Sequence, residues 1–165
     1  MTQAEREALF ARYEQGPGIL RAAWSAFPVE ARQWRPLPGK WSAHEIILHC
    51  ADSETNSATR IRYLVGESAP VIAGYDQDRW AKEFDYHRLP VDPSLAQIET
   101  VRAWTAVFIR ALPESCWSKA GRHTEYADPY TAEMWLTIYA EHLEIHARQL
   151  ERNLGAWRAV HASGR

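Results

Sequence analysis

From Leu136 to Leu154 the apolar positions return every three or four residues, at Leu136, Tyr139, Leu143, His146, Leu150 and Leu154. Glu141, Glu144, Arg148 and Glu151 fall largely elsewhere. That period fits an α-helix with one buried stripe and excludes a strand, whose period is two. Thr131 is placed to cap the helix, the pattern carries it from about residue 132 to 153, and Gly155 reads as its stop signal. Such a stripe needs other helices to cover it, because most helical stability comes from packing an amphipathic face.

Three further long helices and one short one are legible upstream. Residues 3 to 27 carry Leu9, Phe10, Tyr13, Ile19, Leu20, Trp24 and Phe27 at helical spacing, with Gly16-Pro17-Gly18 predicting a kink or break. The Pro-rich stretch from Pro28 to Lys40 ends in L-P-G-K, an extended or turning connection. Ser42 and Glu45 then form a capping box, with Trp41 placed as a hydrophobic staple against Ile46, and a second helix runs from about 43 to 65. A loop from Gly66 to Gly74 and a short helix from Asp76 to Phe84 lead to Pro90. Asp92-Pro93 opens a third long helix, whose stripe is Leu95, Ile98, Val101, Trp104, Val107, Phe108 and Leu112. Glu114 to Pro129 has no clean period and reads as a small hairpin or an irregular loop.

The expected architecture is therefore all-α, a four-helix bundle with a long crossover between its second and third helices. At 165 residues the chain suits one domain, taken as 1–157, followed by a loosely ordered tail at 158–165. A net charge of -2 from 19 basic and 21 acidic residues lacks the basic patch that nucleic acid demands. No stretch approaches the ~18 apolar residues of a membrane span, and the N-terminus lacks the features of a signal peptide. Two cysteines, Cys50 and Cys116, make neither a disulfide framework nor a C-x-x-C site. A cytoplasmic protein acting on a small molecule, without membrane or nucleic acid, is the expectation.

His142 and His146 stand one turn apart on the fourth helix. A four-residue step advances about 6 Å and returns to within about 40° of the same face, so both can reach one ion. Two imidazoles on the core side of a helix need a hydrogen bond, an acid or a metal. A shared metal satisfies both, and separate partners satisfy each; the spacing leaves both readings open. H-L-E-I-H is not the zincin H-E-x-x-H, because Leu143 stands where the general base belongs and Glu144 lies about 160° round the helix from His146.

His49 shares its helical row with Glu45, Asp52, Ser53, Asn56 and Arg60. The row reads either as a solvated surface or as the wall of a cavity. In the second case Asp52 or Glu45 orients His49 or accepts a proton beside it. His44, His87, His123 and His161 read as surface histidines, Cys50 as a small buried hydrophobe and Ser42 as a cap. Trp41, Trp135 and Tyr139 are candidates for a pocket wall or for packed core. No G-x-S-x-G, P-loop or dinucleotide fingerprint is present.

The run W-R-P-L-P-G-K-W-S-A-H-E-I-I-L-H-C-A-D-S-E, Trp34 to Glu54, resembles the opening of DinB-like (YfiT-type) proteins, where a tryptophan-serine helix start leads to a histidine in an H-x-x-D-x-E context. Y-T-A-E-M-W-L-T-I-Y-A-E-H-L-E-I-H-A-R-Q-L resembles the family's last helix, with its H-x-x-x-H. The resemblance covers nearly the whole chain. It implies a bundle of unusual connectivity and a divalent metal held by His49, His142 and His146. It also implies metal-dependent hydrolysis, or S-transfer and isomerisation with low-molecular-weight thiols, and homodimers.

Three histidines leave a metal an open position, as in catalytic sites. The expected function is thus a metal-dependent hydrolase or a low-molecular-weight-thiol S-transferase, with Asp52 or Glu45 as proton acceptor. The alternative is a non-catalytic helical scaffold that binds a metal or a small molecule. Imidazole ligands suit zinc, nickel, iron or copper, so the donor set does not choose among them.

Overall fold

The computed structural model describes residues 1–126 and 129–162. Four long helices form the bundle: α1 (Gln3–Ser25), α2 (Ala43–Gly66), α4 (Val91–Arg110) and α5 (Ala132–Ala162), with the short α3 (Gln77–Glu83) in the crossover between α2 and α4. Side chains fix where three of them start. Thr2 and Glu5 form a capping box, and Ser42 and Glu45 a second, in which Ser42 Oγ accepts from the Glu45 amide at 3.2 Å and Glu45 Oε2 accepts from the Ser42 amide at 2.8 Å. Thr131 Oγ1 accepts from the Met134 amide at 3.1 Å, as its position predicts. α4 begins at Val91, slightly before the expected Asp92-Pro93 start, and Pro93 still falls in the first turn, where a missing N–H costs nothing.

The expected break at residues 16–18 is absent, and α1 runs on through Pro17. Pro17 has no N–H to offer the Tyr13 carbonyl one turn back, and that carbonyl instead accepts from Arg102 Nη1 at 2.8 Å. Gly16 lets α5 approach: a Cβ there would stand 3.2 Å from Leu143 Cβ. The interruption read in the sequence is a contact point between helices.

α1 packs mainly against α5 and α4, and α2 against α4 and α5. Helices consecutive in the sequence, α1 with α2 and α4 with α5, therefore lie across the bundle from one another. One apolar cluster holds Leu20, Trp24, Ile46, Ile47, Leu95, Ile98, Leu143 and Leu150; a second holds Phe10, Tyr13, Ile61, Leu64, Ile109, Trp135 and Leu136. Glu54 of α2 and Arg102 of α4 lie in the chain where each helix passes from one cluster to the other, and both are fully buried.

The connections meet in a three-stranded sheet of order β1 (Val71–Ile72), β2 (Ala120–His123) and β3 (Tyr130–Thr131). β1 runs parallel to β2 with Ile72 opposite His123, and β3 antiparallel to β2 with Tyr130 opposite Gly121. Pairing across the crossover was not legible from either segment alone. His123, expected at the surface, is buried in this sheet between Tyr126 and Tyr130.

Gly155 does not stop α5, which continues to Ala162. Trp157 packs on the first apolar cluster and stacks on His161, so residues 158–162 of the expected loose tail are helical, while 163–165 lie outside the described residues. Among the described residues no helix is long and apolar enough to cross a membrane.

Candidate metal centre

α2 and α5 pack side by side, and this brings His49 to the pair on α5. Ring centroids are 4.8 Å apart for His49 and His146, 5.7 Å for His49 and His142, and 4.7 Å for His142 and His146. One nitrogen from each ring lies within 4.8 Å of the other two, a spacing at which the three could hold one metal ion. Of the His49 row, Ser53 and Arg60 also line the cavity, whereas Glu45, Asp52 and Asn56 do not.

Each α5 ring is oriented through its second nitrogen. His142 Nδ1 bonds to Glu54 Oε1 at 3.0 Å, and His146 Nδ1 bonds to Gln149 Oε1 at 2.9 Å. A carboxylate and an amide oxygen only accept, so both Nδ1 atoms carry a proton; in the neutral ring this leaves Nε2 as the lone-pair nitrogen, the tautomer a metal ligand needs. His49 is 3% exposed, packs against Trp41 at a tilt with ring centroids 4.7 Å apart, and its Nδ1 has no hydrogen-bond partner among the described residues. A buried nitrogen left so is costly unless something other than a protein side chain meets that ring.

The electrostatics agree. Burial, and next the neighbouring imidazoles, hold His49 well below the ordinary histidine pKa and His146 at about 3. Both are neutral near pH 7, the state that ligates. Glu54 stays ionised despite complete burial, because the Arg102 charge and bonds from His142 and Arg102 outweigh the desolvation. Arg102 Nε and Nη2 grip the two Glu54 oxygens at 2.5 and 2.8 Å, and Nη2 also donates to the Tyr139 carbonyl at 2.7 Å.

Helical period alone does not single out Glu54 as a site residue. Its signal is that it stands as a single charge on the apolar row Cys50, Glu54, Ser57, Ile61, while Arg102 stands likewise among Leu95, Ile98, Thr105 and Ile109. The two carboxylates expected to accept a proton are drawn elsewhere. Glu45 completes the cap of α2 and pairs with Arg35; Asp52 accepts a hydrogen bond from Tyr86 Oη. Neither lines the cleft over the histidines.

That cleft has a volume of ≈ 480 Å³, with the three histidines among its lining residues and Trp41, Tyr75, Tyr126 and Tyr139 as aromatic walls. Trp135 belongs instead to the core, its Nε1 donating to the Ser57 carbonyl at 3.1 Å. The Leu37–Lys40 turn shapes one wall: the Lys40 amide donates to the Leu37 carbonyl at 3.1 Å, and Gly39 takes φ +73° behind Pro38, the type II arrangement. His44 and His87 lie outside the cluster, bonded to the Leu89 carbonyl and to Ser42 Oγ.

A model of the DinB superfamily matches residues 12–150. A provisionally named metal-dependent hydrolase of Bacillus licheniformis is 26% identical over 149 residues, covering 90% of this chain and 85% of that protein. Another from Geobacillus kaustophilus is 26% identical over 134 residues, covering 81% and 75%. The solved structure of YfiT from Bacillus subtilis, provisionally described as a metal-dependent hydrolase with an unusual four-helix bundle topology, aligns with a TM-score of 0.85 at 22% identity, covering 94% of this chain and 90% of that one. That last likeness establishes the fold.

Proposed function

The chain belongs to the DinB superfamily, and on that premise we propose that it is a metal-dependent hydrolase of small molecules, with His49, His142 and His146 holding a divalent cation in the cleft. The observation that carries the reading is the set of second-nitrogen bonds. Glu54 and Gln149 fix the tautomers of His142 and His146, and His49 keeps a buried nitrogen without a partner. His49, His142 and His146 would hold the ion, which would supply Lewis acidity to lower the pKa of a bound water and polarise a scissile bond.

The chain's own residues do the rest. Arg102 keeps Glu54 charged and immobile, and Glu54 keeps His142 facing one way. The rings of Trp41 and Tyr139 flank the imidazoles, with Tyr139 centred 5.6 Å from His142, and limit the water that reaches them. Three neutral imidazoles would leave the charge of a bound ion undiminished, which would favour an electron-rich substrate group beside it.

One observation favours S-transfer from a low-molecular-weight thiol as a second reading. The buried carboxylate beside the histidines, Glu54, is held by Arg102 and His142, and the carboxylates lining the cleft, Asp78 and Glu125, are exposed; a thiol, with a pKa near ~8.5, needs less help from a base than water does. A turnover screen of zinc-, nickel- and iron-loaded protein separates the two. Ester or amide cleavage that disappears in His142→Ala supports the hydrolase; turnover only with a thiol and an electrophile selects the transferase. Metal uptake without turnover in either arm leaves a binding scaffold.

A further inference from the structure

Arg60 shares the cleft with the histidines and has no acidic partner. Neutral acceptors hold it: Nη1 donates to Tyr139 Oη at 2.9 Å and Nη2 to the Ala73 carbonyl at 2.7 Å. Nε is buried with no partner, and among the described residues no carboxylate oxygen lies within 4.0 Å of the guanidinium. Arg102, Arg12, Arg35 and Arg110 each meet a glutamate at hydrogen-bond distance. Arg60 therefore keeps donors and a charge that the fold does not use.

No carboxylate lining the cleft pairs with that charge. Asp78 and Glu125 also line it, but both are exposed, as is Lys40. The one fully buried carboxylate behind the histidines, Glu54, is neutralised by Arg102. With three uncharged imidazoles around it, a divalent ion would add to the positive interior. A part-buried guanidinium with free N–H groups binds oxyanions with charge-assisted, forked hydrogen bonds. Beside it, Tyr75 and Tyr139 offer an apolar surface, with the Arg60 guanidinium 5.7 Å from the Tyr75 ring centre.

We infer that the cleft takes a small molecule bearing a compact oxyanion, a carboxylate or a phosphate, which docks on Arg60 while its apolar body lies against the aromatic walls. The inference deepens the hydrolase reading and rests on the cleft being the substrate site.

Calorimetric titration with benzoate, phenylphosphonate and neutral benzamide tests it, on both zinc-loaded and metal-free protein. In metal-free wild type at least one anion should bind roughly tenfold tighter than benzamide, and Arg60→Gln should erase that margin without changing zinc stoichiometry. Arg60→Met, which keeps the aliphatic stem, should do the same. Which anion binds better identifies the carboxylate or the phosphate. Equal binding of all three ligands by metal-free wild type overturns the inference, as does a folded Arg60→Gln or Arg60→Met protein that retains the margin. Should neither variant fold, the wild-type comparison alone decides. Failure to take up zinc would count against the metal reading only, since the anion arm is read without metal.

Discussion

At the residue scale the site depends on a chain of three side chains, His142 to Glu54 to Arg102, with the last two buried together. A buried ion pair contributes little net stability, yet losing one partner strands a charge at a cost of about 3–5 kcal/mol. Glu54→Gln should lower stability by about that amount in urea denaturation, and weaken zinc about 10–100-fold in competition titration. Glu54→Leu combined with Arg102→Met should recover most of the stability but not the zinc affinity. Recovery of both would show that Glu54 does not orient His142. His142 and His146 were legible because one helical row carries both. Glu54 was not, since its role exists only once Arg102 arrives from another helix. Asp52 and Glu45 share the row of His49, but Tyr86 and Arg35, which lie outside α2, decide where those carboxylates go.

At the scale of elements, the sequence marked helix starts well and interruptions poorly. Capping at Ser42 and Thr131 uses residues within one turn, so local reading suffices. Gly16-Pro17-Gly18 and Gly155 carry local signals that packing overrides, through Leu143 and Arg102 in one case and Trp157 in the other. This makes the glycines of α1 unequal. Gly16→Val should destabilise by about 1–3 kcal/mol, because its side chain would press on Leu143 one residue from His142. Gly18 has open space where a Cβ would stand, so Gly18→Ala should stabilise by about 0.5–1 kcal/mol. Thermal or urea midpoints check both, and a neutral Gly16→Val would refute the close α1–α5 contact.

For the whole molecule, the four-helix class and the long crossover were legible from period and loop length, whereas the helix arrangement and the three-stranded sheet depend on pairings between distant segments. Gathering three imidazoles also gives the bundle a pH signature. Burial first and then the neighbouring rings depress His49, and hold His146 at about 3 against an ordinary 6.5. The unfolded chain therefore binds more protons below pH 6.5, so this contribution to stability is present above that value and lost as pH falls toward 3. The metal-free protein should melt at lower temperature as pH drops from about 7 to about 5, and His146→Ala should flatten the slope. Zinc in excess at neutral pH should raise the midpoint, by about 2.7 kcal/mol of stability at a hundred times its dissociation constant.

The most direct measurement is metal content in protein purified without a histidine tag, for the wild type and for His49→Ala, His142→Ala and His146→Ala. A single three-histidine centre predicts about one divalent ion per chain in the wild type and its loss from all three folded variants. Full occupancy in His49→Ala, the residue that joins α2 to the pair on α5, would contradict it.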